Sequence, residues 1–264
     1  MSVPPGPPGP STPLGMTEML CVFAHQDDEY GVATRITRER RAGRRVICAY
    51  LTDGAASVPS SVRDAETRGV LTRVGVDDND ILFLGSQHDI PDGSLVEHLE
   101  AAFHILDRAV RERDIGEVVT LAWEGGHQDH DAAHLVAVAI AQKRNVPCRE
   151  FPLYRGNRYG NLFRVLSPIR SSGSRTKLSL GEAFSASMLA WRYRSQRRTW
   201  FGLWGESFLK LVVLRREVLD EVDPQRLVEP PHARPLFYER RFHFPWERFA
   251  AAARPFIESH IARQ

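Results

Sequence analysis

Met19-Leu20-Cys21-Val22-Phe23-Ala24-His25-Gln26-Asp27-Asp28-Glu29 is the stretch whose reading decides the fold. Its apolar half is too short for a buried helix but long enough for a strand covered on both faces. It stops abruptly at a cluster of imidazole and carboxylate groups. A second passage repeats the design: Glu117–Ala122 is strand-like, and His127-Gln128-Asp129-His130 follows it. Polar clusters at the ends of buried strands, about a hundred residues apart, point to one site assembled in space.

Outward from these two passages the pattern alternates. Gly31–Arg41 reads as a helix, Arg45–Leu51 as a strand ending in Thr52-Asp53-Gly54, and Ser61–Val74 as a helix stopped by Gly75. Ile81–Leu84 is a third strand. Ser94–Arg113 has one apolar helical face, Asp131–Gln142 is a buried helix, and Val146–Phe151 is a fifth strand. Short apolar strands alternating with helices predict an α/β, Rossmann-like, mostly parallel sheet with helices on both faces. Ligands of such sheets bind beyond the carboxyl ends of the strands, where both clusters lie.

Residues 1–15 are Pro/Gly-rich and predict a disordered tail, 16–154 the Rossmann-like core, and 155–264 a loop- and helix-rich C-terminal part packed on it and completing the same domain. Within that last part, 155–180 reads as long loops, Leu180–Arg198 and Gly205–Asp220 as helices, and Pro235–Phe244 as a partial strand. Trp246–Arg263 reads as a terminal helix bent at Pro255.

The chain has 264 residues, 42% hydrophobic and 26% charged, with a formal net charge of +2. That balance fits an ordinary globular protein and supplies no field for nucleic acid. Cys21, Cys48 and Cys148 form no Cys-x-x-Cys pair, which argues against disulfides and a thiolate metal site and for a reducing compartment. With neither a signal peptide nor an apolar span, the cytoplasm is the expected location.

The clusters suit metal-assisted hydrolysis. Catalytic zinc takes three protein ligands and keeps one position for water. His25 and Asp28, three residues apart, can aim at one ion, and His130 supplies the third ligand. Asp27 then stands beside the water as a general base. His127 faces it as an imidazolium stabilising the oxyanion, and Asp129 holds the His127 ring.

This arrangement resembles the PIG-L/LmbE family of zinc-dependent N-acetylglucosamine deacetylases. Ala24-His25-Gln26-Asp27-Asp28-Glu29 differs from the family's Ala-His-Pro-Asp-Asp-Glu only at the proline, and His127-Gln128-Asp129-His130 differs from His-Pro-Asp-His likewise. Thr52-Asp53-Gly54, and Arg63-Asp64-Ala65-Glu66 followed by Val74-Gly75-Val76, match its intervening motifs. The resemblance covers residues 18–142. It implies Zn2+, or another divalent metal, on His25, Asp28 and His130, with Asp27 as base and His127 at the oxyanion. It also implies Arg63 and Asp92 on sugar hydroxyls, a substrate bearing an N-acetyl group on a small amino sugar or glycoconjugate, and a C-terminal part that shapes the substrate mouth. A homo-oligomer is compatible with it. The alternatives are an amidase for a larger N-acyl group and a silent metal-holding interaction protein.

Other residues carry two readings. Glu29 caps the helix or holds His25; Glu124 acts on substrate or is solvated; His134 packs or is a fourth ligand. The two glutamines loosen their loops or touch substrate. Trp123, Trp200 and Trp204 stack on a sugar or fill the core. Arg192–Arg198, with its aromatics, grips a phosphate, nucleotide-sugar or anionic lipid head group, or is the solvated face of a helix.

Overall fold

A computed structural model of the chain describes residues 17–156, 163–168 and 174–261. The tail expected at 1–15 lies outside the described residues. The elements are β1 (Glu18–Phe23), α1 (Ala33–Arg41), β2 (Val46–Tyr50), α2 (Ser60–Arg73), β3 (Ile81–Phe83), α3 (Leu84–Gln87), α4 (Leu99–Ala109), β4 (Ile115–Leu121), α5 (Gln128–Arg144) and β5 (Cys148–Phe151). They continue as β6 (Tyr154–Gly156), β7 (Phe163–Val165), β8 (Ser174–Lys177), α6 (Leu180–Leu189), α7 (Arg197–Phe208), β9 (Arg216–Glu221), α8 (Phe237–Arg241) and α9 (Trp246–His260). Short 3-10 turns lead into α1 (Asp28–Val32) and α4 (Leu95–His98), and a π-turn, Leu209–Val213, extends α7.

The main sheet has the order β3-β2-β1-β4-β5-β9-β8. Its first five strands are parallel, and β9 and β8 add antiparallel at the edge. Every residue of β1 and β2 is buried, which explains their unbroken apolar runs. Each buried Val, Leu, Ile, Met or Phe side chain there contributes about 1.5–3 kcal/mol to folding. Because crossovers are right-handed, the reversal of strand order at β1 sends helices to both faces. Accordingly α4, α5 and α9 pack together, while α1 packs with α6. α5 is buried from Gln128 to Ala141, so its sequence is apolar all round rather than striped.

Three sequence expectations fail after residue 155. The span read as loops contains β6, β7 and β8; the open edge of β9 supplies pairing for β8 that no local pattern announces. The helix expected over 205–220 ends at Val213, and Arg216–Glu221 forms β9. Its alternation is weak because Glu217 and Asp220 are themselves buried. The partial strand at 235–244 is the helix α8: Leu236, Phe237 and Tyr238 are all buried in succession, and the Phe237 N–H donates to the Gly125 carbonyl (3.0 Å). The terminal helix is present and continues through Pro255. All three cysteines are free; Cys21 and Cys48 lie opposite each other on β1 and β2.

Candidate metal centre and its cavity

β1 and β4 are neighbours at the point where strand order reverses, and both polar clusters leave from their carboxyl ends into that crevice. After Ala24 the chain turns at once. Asp27 takes φ 104, ψ −12, a left-handed conformation rare for a residue with a side chain. Its N–H donates to Glu29 Oε2 (3.0 Å), and the Tyr193 hydroxyl donates to Glu29 Oε1 (2.9 Å). Glu29 therefore holds Asp27 rather than His25, and a residue of the C-terminal part braces it.

Asp28 Oδ2 accepts the N–H groups of Ala24 (3.0 Å) and His25 (2.7 Å). Its Oδ1 faces His130 Nε2 at 3.2 Å, and His25 Nδ1 lies 3.9 Å from Oδ2. His25, Asp28 and His130 are all buried, with ligand atoms mutually within 4.8 Å. Two ligands of one ion at about 2.1 Å each stand at most about 4.2 Å apart, so slight closure brings the set to a metal. His25, His127 and Asp129 form a second group at similar spacing. It fits a metal less well, because Asp129 is already occupied: Oδ2 accepts from Gly93 (2.6 Å) and Oδ1 from Leu95 (3.0 Å).

Asp129 therefore does not hold the His127 ring, as the spacing suggests. Its Oδ2 instead lies 3.2 Å from His25 Nε2, and Asp92 Oδ1 lies 3.3 Å from the same nitrogen. These carboxylates orient His25 with Nδ1 toward Asp28. His127 is the N-cap of α5, and its Nδ1 accepts the Asp129 N–H (3.1 Å). A neutral ring accepting at Nδ1 carries its proton on Nε2. Burial, with nearby His25 and His130, pushes His127 down to about 3. The expected imidazolium is thus a neutral ring, because burial and the two neighbouring histidines outweigh the pull of Asp129 and Asp92.

The rest of the site favours positive charge. Burial opposes protonation of His25, yet Asp92, Asp129 and Asp28 hold it well above its ordinary value. Burial opposes ionisation of Asp28, but His130 and His25 bring it to about 2. Asp27 is pushed up to about 6 by burial, against the pull of Arg63 and with Asp28 adding to the rise. Arg63 is buried in the same crevice. It donates to the Gly54 carbonyl (2.8 Å), to the Gln26 carbonyl and to Asp27 Oδ1 (3.0 Å), and stands 3.7 Å from Asp92 Oδ2. Both Arg63 and Asp92 line the cavity, but their contacts bind the site to itself.

Both glutamines face the framework. Gln26 Nε2 donates to Asp64 (2.6 Å) and to the Asp53 carbonyl (3.3 Å); Gln128 Nε2 donates to the Gly93 carbonyl (3.3 Å). Each amide ties its own loop to the neighbouring one. The Thr52-Asp53-Gly54 turn is part of the same weave: Thr52 Oγ1 donates to the Ala24 carbonyl (2.7 Å), and Asp53 Oδ1 accepts the Asp92 N–H (2.8 Å). Glu124 is buried, neither solvated nor in the cavity lining, and accepts from Leu153 (2.7 Å) and Tyr154 (2.9 Å). His134 packs in the core with Nδ1 2.8 Å from the Leu121 carbonyl.

The centre opens into a cavity of about 590 Å³. His25, Asp27, Asp28, His127 and His130 line one side. Leu153, Val165, Trp200, Leu203, Phe237 and Phe242 form an apolar wall, and Arg198 and Arg241 also line it. Sequence reasoning weighed Trp200 but missed the rest of this wall. The i, i+3 spacing of Trp200 and Leu203 on α7 was a signal for a buried face, though not for what it covers. Trp123 is a core residue instead, against Trp246 and Phe249.

A Rossmann-like α/β protein with a buried His–Asp–His donor set, and an arginine-held carboxylate beside it, is the class that this fold and site define. Residues 20–141 match the model of the PIG-L family, described as GlcNAc-PI de-N-acetylase. No curated protein sequence matches the chain. Among solved structures it is similar to the conserved protein TT1542 from Thermus thermophilus, with 22% identity, a TM-score of 0.55, and coverage of 83% of this chain and 100% of that one. It is also similar to N,N'-diacetylchitobiose deacetylase from Pyrococcus horikoshii (18%, TM-score 0.56, 84% and 88%). A third is the zinc-inhibited form of teicoplanin deacetylase Orf2 (17%, TM-score 0.56, 78% and 99%). At these identities the structural likeness establishes the fold.

Proposed function

We propose that the protein is a metal-dependent hydrolase that removes the acetyl group from an N-acetylated amino sugar or its conjugate. The observation that carries this reading is the convergence of His25, Asp28 and His130 beside an Asp27 carboxylate that no strand or helix requires in its left-handed conformation. Two imidazoles and one carboxylate suit zinc, and a field that raises His25 suits any divalent cation. The family match and the likeness to the two deacetylases support the reaction type.

A cation on this set supplies Lewis acidity and makes a water acidic near neutral pH. Asp27, held by Glu29 and Arg63 and lifted to about 6, is placed to accept the proton of an attacking water. The oxygen bonds to the amide carbonyl carbon, and His127 donates its Nε2–H to the developing oxyanion. Asp27 then passes the proton to the amine nitrogen as the C–N bond breaks, leaving acetate and a free amine. Asp129 and Asp92 keep His25 turned toward the ion.

The apolar wall favours a second reading of the substrate, an N-acyl group longer than acetyl lying against Leu203 and Phe237. The test is to measure bound metal in the purified protein and amine release from matched N-acetyl and longer N-acyl amino sugars. Full metal occupancy without amine release from any of them rejects the hydrolase. Asp27→Ala should keep its metal and lose turnover.

A further inference from the structure

We propose that the α6–α7 face docks on an anionic lipid surface and brings the mouth of the cavity to it. Among the described residues, seven of the ten exposed large hydrophobic side chains fall between Leu180 and Leu214, with Phe201 81% exposed. They are not scattered. Leu180, Phe184 and Met188 recur every fourth residue on α6, and Phe201, Trp204 and Phe208 share one face of α7. Trp191, three residues beyond Met188, meets Trp204 at 5.4 Å, and within α7 Trp204 meets Phe208 at 5.0 Å. The Trp204 indole N–H also donates to the Ser187 carbonyl (3.1 Å), locking α7 against α6. The result is one apolar, tryptophan-bearing surface.

The charge around it selects the partner. Residues 180–216 hold seven Lys/Arg against two Glu, a net of +5 in a chain whose total is +2. One of the two acids, Glu182, is already bound to Arg38 at 2.7 Å. Arg192, Arg194 and Arg197 are exposed beside the stripes. Two such faces would repel each other, which disfavours a second copy as the cover. Apolar and indole side chains flanked by arginine suit the boundary between head groups and acyl chains. No helix among the described residues is long and apolar enough to cross a membrane, so the attachment is peripheral. On α7, Trp200 and Gly202 line the cavity on either side of outward-facing Phe201, so a lipid surface on this face adjoins the cavity mouth.

Vesicle flotation of the full chain tests the proposal without requiring turnover, so it stands or falls separately from the deacetylase reading. The protein should float with phosphatidylcholine vesicles containing about 30 mol% phosphatidylglycerol, stay behind with pure phosphatidylcholine, and be released by salt. The pairs Arg194→Glu/Arg197→Glu and Phe184→Ser/Phe201→Ser should each weaken binding at least about tenfold while leaving the melting temperature unchanged. Absence of flotation with the anionic vesicles overturns the proposal, as does binding that neither pair weakens. A dimer in sedimentation equilibrium that Phe184→Ser/Phe201→Ser dissociates, or salt-sensitive binding to duplex DNA without vesicle binding, overturns it in favour of that partner.

Discussion

At the scale of single residues, the site depends on a left-handed Asp27 that its own backbone disfavours. Such a conformation costs about 1–3 kcal/mol and persists where neighbours over-determine it. Here they are Glu29 on the N–H and Arg63 on the carboxylate, with Tyr193 behind Glu29. Replacing Tyr193 with Phe removes one hydroxyl far along the chain and frees Glu29 to shift. Turnover should fall about tenfold with bound metal unchanged, because a small misplacement of a reacting group is expensive. Steady-state kinetics alongside metal analysis checks it, and Glu29→Ala should reproduce the loss. Asp27→Asn, which keeps the Arg63 contact but cannot take a proton, should cost turnover by about a hundredfold or more.

At the scale of elements, the loop between β4 and α5 sets the height of His127. A Cβ on Gly126 would collide with the Tyr154 carbonyl oxygen, so the loop and β6 approach more closely than any side chain permits. Gly126→Ala should destabilise the fold by about 2 kcal/mol or more, read from the urea midpoint, because backbone rather than a flexible tip must give way. Glu124 joins the same two elements from within. Burial raises it from an ordinary 4.5 to about 8. The folded chain thus keeps a proton that the unfolded chain releases, so this group's contribution is full below about 4.5 and is lost as pH rises through about 8. Glu124→Gln should flatten that loss. Denaturation at a series of pH values should show the variant gaining on the parent in alkaline solution and no gain below the unfolded value.

At the scale of the whole molecule, the metal and the fold should be coupled. The donor set comes from the turn after β1 and from α5, separated in sequence by about a hundred residues. An ion that binds only the assembled site therefore adds to global stability. Removing it with a chelator should lower the melting temperature by about 5 °C, and adding back zinc should restore it; a thermal melt with and without chelator measures both. Asp28→Ala should abolish the difference between those melts.

Much of the core was legible because its signals are local. The β1 and β4 runs, the clusters that end them and the parallel order follow from apolar strands alternating with helices, and the His25, Asp28 and His130 set lies where such sheets bind ligands. What a carboxylate oxygen points at is not local. Asp129 serves His25 instead of His127, His127 stays neutral, and Glu29 answers to Tyr193, all through contacts across long stretches of chain. The same holds for β8 and β9, whose strands need an edge to pair with, and for α8, whose consecutive buried residues mimic no periodicity. By itself, then, the sequence determined the layered fold and the chemistry of its polar clusters, since both reside in short-range pattern and residue type. Tertiary structure alone decided which lone pairs converge on the candidate metal centre, which wall closes the cavity and which apolar face is left outside, because burial and contact exist only once distant segments meet.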